Sequence, residues 1–425
     1  MDLTVEGNVY LNGKLNNCCI GVKDGKIIKI KKILKSENHI NYRNNLILPA
    51  GVDIHVHFRD PGMTNKEDFE TGSKSAAYGG ISCVFDMPNT IPNTDNVNDI
   101  KEKINIAGKK SYVDFGVYAA IKKDNIKNLS EIKNYCNGFK LFLGDSTNTI
   151  AFDKHYLNLI KKIDIGNKPL LIHAEDGDCL ENNKRIEKNL IDHINSRPSV
   201  CETKAVEYII KNFVVNNFKI HLCHITTNET INLIKNYDNI TCGVTPHHLF
   251  LDVESKKKNQ SLFKTNPPIR YKVERDILFE YLQKNLIDVI ESDHAPHTLK
   301  EKNVDFDKAP SGIPGVETML PIFLFLYSQG KISLKHIIKL FCENPSRILN
   351  IPKGKIEIGN DADFLIIDQK KVSIIKNKNL HYKCGWSPFE NFKAIFPKHV
   401  FIRGEHLIKE EDIILNKGFG KFIGA

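Results

Sequence analysis

Two histidines, His55 and His57, lie two residues apart in an otherwise apolar run. Alternate residues of a β-strand point to the same face, so both imidazoles would face one side of a sheet. Imidazole nitrogens bind divalent metal ions well, and the pair therefore indicates a metal site. The alternative is two hydrogen-bonded histidines in an apolar core, and the pair alone does not decide between the two interpretations.

Four more polar side chains interrupt or follow apolar runs further along the chain. They are Lys140, His173, His224 and Asp293. Each of these residue types is costly to bury unless it is paired or bound to a metal. With His55 and His57 they make a set of potential metal ligands, in which Asp293 can also exchange a proton with a substrate. The set favours a metal-dependent enzyme.

Lys140 is the unusual member of this set, because it lies inside a run of apolar residues. A lysine in such a run should be paired or deprotonated, and a neutral amine can take up carbon dioxide to form a carbamate. The carbamate anion has two oxygens and can bridge two metal ions. The alternative is an ammonium that reaches solvent at the rim of the fold. The surrounding histidines and aspartate favour the carbamate.

Eight apolar runs of strand length recur through the central part of the chain. They cover residues 47–57, 81–87, 112–120, 138–143, 169–175, 219–225, 240–246 and 286–294. Segments with helical periodicity separate most of them, at 67–78, 153–163, 202–213, 227–236 and 271–284. Short buried strands joined by helices predict a parallel sheet, and eight such units predict a (β/α)8 barrel. The polar set then falls at the C-terminal strand ends, where barrel enzymes carry their active sites.

The two chain ends differ from this central part, because they contain short apolar runs separated by turn residues such as Asn12-Gly13 and Asp24-Gly25. Short strands with tight turns are typical of β-structure. The sequence therefore predicts a small β-sandwich domain made from residues 1–48 and 351–425, with the barrel formed by residues 49–350.

Composition narrows the functional classes. The 425 residues are 41% hydrophobic and 26% charged, as in ordinary globular proteins. No apolar run approaches the roughly 20 residues that span a bilayer, and the N-terminus lacks a signal-peptide pattern, so we expect a cytoplasmic protein. The ten cysteines form no C-x-x-C pair, and we expect them to be reduced and mostly buried. The net charge of +9 comes from dispersed lysines, and we expect no nucleic-acid partner.

Three segments carry a specific family resemblance: residues 53–62 (DIHVHFRDPG), 87–90 (MPNT) and 292–298 (SDHAPHT). Together with residues 245–249, 266–268 and 310–318, they resemble the motifs of class I dihydroorotases in the amidohydrolase superfamily. The resemblance covers nearly the whole chain, including both ends.

The resemblance implies two zinc ions in each subunit. His55, His57 and Asp293 would bind the first ion, and His173 and His224 the second, with N6-carboxylated Lys140 between them. Many bacterial class I enzymes carry an aspartate at the bridging position, whereas residues 138–144 resemble the lysine-bearing group. The implied substrate-binding residues are Arg59, Asn89, Asn266, His297, Ser311 and Gly312.

The implied reaction is the reversible cyclisation of N-carbamoyl-L-aspartate to dihydroorotate, in which Asp293 is the catalytic acid and base. The resemblance also suggests a homodimer, and we expect that the loop at 145–149, after the fourth barrel strand, is able to close over the substrate. Two alternatives remain open. A related cyclic amidohydrolase, either an allantoinase or a dihydropyrimidinase/hydantoinase, would act on substrates without a ring carboxylate, whereas Arg59 and His297 suit an anion. A catalytically inactive scaffold is disfavoured by the complete ligand set.

Overall fold

The computed structural model describes residues 1–145, 152, 157–213, 218–256 and 258–424. Within these ranges, eight parallel strands form a barrel, and strands from both chain ends form a separate eight-stranded sheet. The predicted (β/α)8 barrel with a smaller β-structure made from both ends is confirmed. The domain limits at residues 48 and 350 stay predictions.

The strands are short, and most of the long helices connect strands of the barrel. In chain order the strands are β1 Leu3–Leu11, β2 Lys14–Lys23, β3 Lys26–Lys31, β4 His39–Pro49, β5 Gly51–Val56, β6 Ile81–Asp86, β7 Asp114–Ala120, β8 Gly138–Phe142, β9 Leu170–His173, β10 Ile220–Leu222, β11 Ile240–Val244, β12 Val289–Ile290, β13 Phe364–Ile367, β14 Ser373–Ile374, β15 Lys393–Ala394, β16 His399–Ile402, β17 Glu405–Lys409 and β18 Asp412–Ile413. The helices are α1 Phe69–Tyr78, α2 Val97–Lys110, α3 Leu129–Ile132, α4 Leu157–Ile160, α5 Gly177–Asn183, α6 Leu190–Ser196, α7 Ser199–Phe213, α8 Asn228–Ile234, α9 Pro246–Phe250, α10 Lys272–Gln283, α11 Leu299–Lys302, α12 Met319–Ser328, α13 Leu334–Ile338 and α14 Asn344–Leu349.

The sheet made from the chain ends has the strand order β3-β2-β1-β4-β13-β16-β17-β18. The predicted turn at Asn12-Gly13 joins β1 to β2, and both of its residues have positive φ (48° and 84°). Two-residue turns of this kind match the twist of the strands that they connect. β4 pairs with β13, which joins the N-terminal and C-terminal strands into one sheet.

The barrel contains β5 to β12 in sequential order, and every neighbouring pair is parallel. It closes between its first and last strands, because Val56 bridges to His294 and the His57 amide donates to the His294 carbonyl at 2.8 Å. The first predicted run, 47–57, is divided in the structure. Its first residues end β4 in the sheet made from the chain ends, and the barrel strand begins at Gly51.

Helix α1 shows how local sequence sets the boundaries. Its N-cap Asp68 accepts a hydrogen bond from the Thr71 amide at 2.9 Å, and the helix ends at the pair Gly79-Gly80.

α2 was not among the helices predicted from periodicity. Among the described residues, no helix is both long and apolar enough to cross a membrane.

The expected reduced state is wrong for one pair of cysteines. Cys179 in α5 and Cys201 in α7 form a disulfide, with their Cα atoms 5.4 Å apart. Their separation of 22 residues follows no recognisable spacing, and only the packing of α5 against α7 brings them together. The other eight cysteines are unpaired and buried, as expected.

Candidate active site

The six predicted metal ligands converge at the C-terminal end of the barrel. His55, Lys140 and His173 lie within β5, β8 and β9, whereas His57, His224 and Asp293 lie just beyond β5, β10 and β12. Parallel strands of a barrel all end on the same side, so side chains that are distant in sequence meet there.

The first cluster contains His55, His57 and Asp293. The Asp293 Oδ1 atom lies 3.3 Å from His55 Nε2 and 3.1 Å from His57 Nε2. One potential ligand atom from each residue falls within 4.8 Å of the others, and all three residues are buried. Two imidazoles and a carboxylate at this spacing suit a divalent metal ion such as zinc.

His173 and His224 form the second cluster. His173 Nδ1 lies 3.1 Å from His224 Nε2, and the two buried rings meet edge to face. The ring of His224 is also 5.2 Å from that of His55, so the two clusters are adjacent. The inward nitrogens of both histidines therefore face a shared space beside the first cluster.

Three residues of the site have a left-handed backbone, which non-glycine residues rarely adopt. The φ angles are 62° at Arg59, 40° at His224 and 43° at Asp293. Each such residue costs about 1–3 kcal/mol and persists only where the surrounding structure fixes it, which is common at active sites. In each case the conformation occurs just beyond a barrel strand.

Lys140 is completely buried in β8. Its Nζ atom donates to Cys223 Sγ at 3.0 Å and lies 5.1 Å from the centre of the Phe142 ring. No carboxylate of the described residues is within ion-pair distance of this ammonium. After burial, the Lys140 ammonium also lowers the pKa of His55, His173 and His224, so it lies near both clusters. Lys140 is therefore a buried lysine that lies beside the metal-ligand candidates and has a thiol as its hydrogen-bond partner.

Buried carboxylates and an amide orient the histidines from outside. Glu291 lies 3.3 Å from His55 Nδ1 and also accepts from the backbone amide of His224 at 2.5 Å. Glu175 accepts from His173 Nε2 at 2.8 Å, and the Asn89 Oδ1 atom lies 2.6 Å from His57 Nδ1. Such partners fix the tautomer and the ring orientation of metal-binding histidines.

Burial sets the protonation of these groups. It lowers the pKa of His55 to about 4, lowers those of His57 and His173, and holds that of His224 well below its usual range. The imidazoles are therefore neutral near pH 7, as metal binding requires. Burial alone would raise the pKa of Asp293, but His55 and His57 outweigh it and hold that pKa well below its usual range. The whole donor set fits two divalent metal ions.

A buried arginine lines the same cavity as the histidines and Asp293. Arg59 is 1% exposed, and its Nε atom donates to the Pro296 carbonyl at 3.4 Å. Nη2 lies 3.2 Å from His297 Nε2, whereas Nη1 has no partner among the described residues. Burial lowers the pKa of Arg59 to about 10, so the guanidinium stays charged near neutrality. A buried cation that lines a cavity and keeps an unpaired N–H suits an anionic ligand.

Two loops complete this wall of the cavity. Asn266 contributes a buried Oδ1 atom that has no partner among the described residues. Gly312 has a φ of 135°, and a Cβ atom there would lie 2.4 Å from the Ala295 carbonyl oxygen, so only glycine fits. The Ser311 carbonyl accepts from His297 Nε2 at 3.1 Å, while Lys66 Nζ donates to Nδ1 of the same ring at 3.2 Å.

The structure thus brings the predicted site residues together around one cavity. All of them line it except Lys140 and His297, each of which contacts a lining residue, Phe142 and Arg59 respectively. The expected closing loop at 145–149 lies outside the described residues, apart from Asp145. Sequence reasoning assigned no role to Glu175 or Glu291, although each is a carboxylate beside a predicted ligand in an apolar run.

Comparisons with known proteins agree with this geometry. A sequence model of the "Amidohydrolase family" matches residues 46–407. The chain therefore belongs to the amidohydrolase family. The L-hydantoinase (dihydropyrimidinase) from Arthrobacter aurescens superposes with a TM-score of 0.95 at 26% identity, and the match covers 100% of both chains. A D-hydantoinase from Thermus sp. gives 0.89 at 21% identity over 99% of this chain and 98% of the other, which supports the fold alone.

The similar curated sequences narrow the assignment within the family. The dihydroorotase of Thermoplasma acidophilum is 40% identical over 97% of this chain and 96% of its own length. The dihydroorotase of Methanosarcina mazei is 36% identical over 98% of this chain and 96% of its own length. Among amidohydrolases, this chain groups with the dihydroorotases.

Proposed function

We propose that the protein catalyses the reversible cyclisation of N-carbamoyl-L-aspartate to (S)-dihydroorotate with loss of water, the third step of de novo pyrimidine synthesis. The full-length similarity to archaeal dihydroorotases supports this reaction. The observation that carries the proposal is Arg59, whose unpaired Nη1 shares one cavity with the metal-binding cluster. A cyclic amide that carries a carboxylate fits both sides of that cavity.

We propose that two zinc ions occupy the clusters. His55, His57 and Asp293 would hold one ion, His173 and His224 the other, and N6-carboxylated Lys140 would contact both. When bound, the ions supply Lewis-acid activation of water and of the substrate carbonyl. The outer contacts of Asn89, Glu175 and Glu291 orient the imidazoles for this task, whereas burial lowers the pKa of His55 and His173 and keeps these rings neutral.

Asp293 is the proposed catalytic acid and base. In the hydrolytic direction its carboxylate takes the proton of the attacking water, the ring C–N bond breaks, and Asp293 delivers that proton to the leaving nitrogen. In the synthetic direction it removes a proton from the carbamoyl nitrogen as the C–N bond forms, and delivers that proton to the carboxyl oxygen, which leaves as water. The His55 and His57 side chains hold the pKa of Asp293 below its usual range despite burial, so the group is ionised, as a proton acceptor must be.

The predicted substrate-binding residues would hold the rest of the ring. The Arg59 guanidinium would make a charge-assisted contact to the ring carboxylate, for which Nη1 is available. The free Oδ1 atom of Asn266 would accept a ring N–H, and His297, Ser311 and Gly312 would shape the surface around the carboxylate. Asn89 would add a contact beside His57.

A substrate panel tests the proposed reaction. Zinc-loaded protein is assayed with dihydroorotate, dihydrouracil, hydantoin and allantoin, and loss of the cyclic amide is followed by its ultraviolet absorbance. We expect dihydroorotate to be the strongly preferred substrate. Preferred turnover of a substrate without a carboxylate would move the chain to the hydantoinase or allantoinase branch. No turnover at full zinc occupancy would support an inactive scaffold.

The carbamate has its own test. Protein incubated with 13C-labelled bicarbonate should show one carbamate carbon signal by NMR, and Lys140→Ala should lack it. The control is Lys300→Ala, because Lys300 is exposed and distant from the metal-binding cluster. A wild-type spectrum without the signal would contradict the proposed bridge.

A homodimer and a cytoplasmic location also remain proposals, and the first is tested by measuring molecular mass in solution.

A further inference from the structure

A second lysine, Lys302, is buried as completely as Lys140 but lies on the substrate side of the site. It ends the short helix α11, and none of its surface is exposed. No carboxylate of the described residues is paired with its ammonium. Instead, Nζ donates to the carbonyl oxygens of Pro310 at 2.8 Å, Gly312 at 3.1 Å and Lys264 at 3.2 Å.

These three carbonyls use every hydrogen of the ammonium. They belong to two separate chain segments, 264–266 and 310–312, which carry the cavity residues Asn266, Ser311 and Gly312. The segments also bond directly to each other, because the Gly312 amide donates to the Lys264 carbonyl at 2.9 Å. Lys302 is therefore the hydrogen-bond donor around which the two loops are assembled.

The same lysine is close to a side chain of a third segment. Its Nζ atom lies 6.0 Å from the centre of the Trp386 ring, and the Trp386 indole donates to the His297 carbonyl at 2.8 Å. His297 in turn donates to the Ser311 carbonyl. None of the Lys302 partners is a metal-ligand candidate, so this arrangement concerns the wall that faces the substrate.

A buried ammonium is an energetically unfavourable component of a protein core. Burying it costs several kcal/mol, and an apolar side chain of similar volume often stabilises a fold equally well or better. Strong, directional bonds to three carbonyls give something that an apolar side chain cannot, namely fixed positions for the loops that bear them. A shift of about 1 Å in such a wall can cost about a hundredfold in catalytic efficiency.

We propose that Lys302 is a positioning residue that holds the loops 264–266 and 310–312 in register and thereby sets the affinity of the site for its substrate. The inference rests on the proposed function, because it assigns these loops to substrate binding. It also distinguishes two structural roles within the site, the placement of the metal ligands and the placement of the substrate-binding surface. The barrel strands hold the metal ligands, whereas one buried ammonium holds the surface that receives the rest of the ring.

The test compares Lys302→Met, which keeps the length of the side chain but removes the donors, with Lys302→Arg, which keeps donors. Lys300→Met on the same helix is the control, because that side chain is exposed. We expect Lys302→Met to raise KM for dihydroorotate about tenfold or more, with kcat changed less than about threefold. Zinc content should equal that of wild type, and Lys302→Arg should fall between Lys302→Met and wild type.

Other outcomes overturn the inference. A folded Lys302→Met enzyme with unchanged KM, or one that loses zinc and kcat together, would show that Lys302 does not position the substrate wall. If Lys302→Met does not fold, Lys302→Arg decides, since a raised KM with retained zinc supports the inference and an unchanged KM refutes it. The wild type is assayed first. If it prefers another cyclic amide, the proposed function fails, and the same comparison on that amide still tests Lys302.

Discussion

Replacing Arg59 by methionine tests the origin of substrate selection. The change removes a buried guanidinium, 1% exposed, whose Nη1 atom has no partner among the described residues. The protein itself loses a long contact from Nε to the Pro296 carbonyl and the contact of Nη2 with His297. Because no carboxylate of the described residues is left unpaired, we expect the variant to fold and to retain its metal ions.

The expected loss follows from the charge pair with the substrate. Removing one partner of a buried, hydrogen-bonded charge pair costs about 2–5 kcal/mol. At about 1.4 kcal/mol for each factor of ten, kcat/KM for dihydroorotate should fall about 30-fold to about 4,000-fold. Dihydrouracil, which lacks the carboxylate, should be affected little. Arg59→Lys should keep part of the charge contact but lose the planar fork, and should fall between wild type and methionine.

The assay measures kcat/KM on both substrates for wild type, Arg59→Met and Arg59→Lys. Arg43→Met is the matched control, because the Arg43 side chain is 70% exposed in the sheet made from the chain ends. Equal losses on both substrates would mean that Arg59 supports the site in general and does not select the carboxylate. Full activity of Arg59→Met on dihydroorotate would refute the contact.

Three further predictions concern the acid/base group, the outer carboxylate and the disulfide. Asp293→Asn should lower kcat about 100-fold or more in a folded protein, and turnover close to that of wild type would exclude the acid/base role. Glu291→Gln should weaken zinc binding about 10- to 100-fold, measured by competition with a chelator, because His55 loses its orienting carboxylate; an unchanged affinity would count against that role. Replacing both Cys179 and Cys201 by serine should lower the free energy of unfolding by about 3 kcal/mol, given the 22-residue separation, whereas equal denaturant midpoints would mean that the cross-link adds no stability.

The positions of the metal-ligand candidates were predictable because two simple rules apply to them. His55 and His57 alternate on a strand, and the remaining candidates follow apolar runs that a parallel barrel must align at one end. The rule about strand ends does not depend on exact boundaries. The rule therefore still applied although residues 47–49 of the first predicted run belong to the sheet made from the chain ends.

Features that depend on several chain segments at once were not predictable. The left-handed backbone of Arg59, His224 and Asp293 turns their side chains into the site, but neither their residue types nor their neighbours indicate it. Such conformations are imposed by packing around the barrel end and are not local preferences. The disulfide between Cys179 and Cys201 has the same origin, since only the contact between α5 and α7 creates it.

The buried ionisable residues were predictable only in part. Glu175 and Glu291 stand in apolar runs, where an ionisable residue is conspicuous, so the sequence marks them as unusual without naming their partners. Lys302 lies in a polar segment with Lys300 and Glu301 and has the pattern of an exposed helix end. Its complete burial depends on carbonyls that come from distant loops.

The most direct test is ring closure by the purified, zinc-loaded protein. N-carbamoyl-L-aspartate and N-carbamoyl-β-alanine, which lacks the second carboxylate, are supplied separately under slightly acidic conditions, and the cyclic products are quantified by NMR. The account predicts that dihydroorotate forms readily and that dihydrouracil forms slowly or not at all. Preferred formation of dihydrouracil, or no ring closure with both metal clusters occupied, would contradict it.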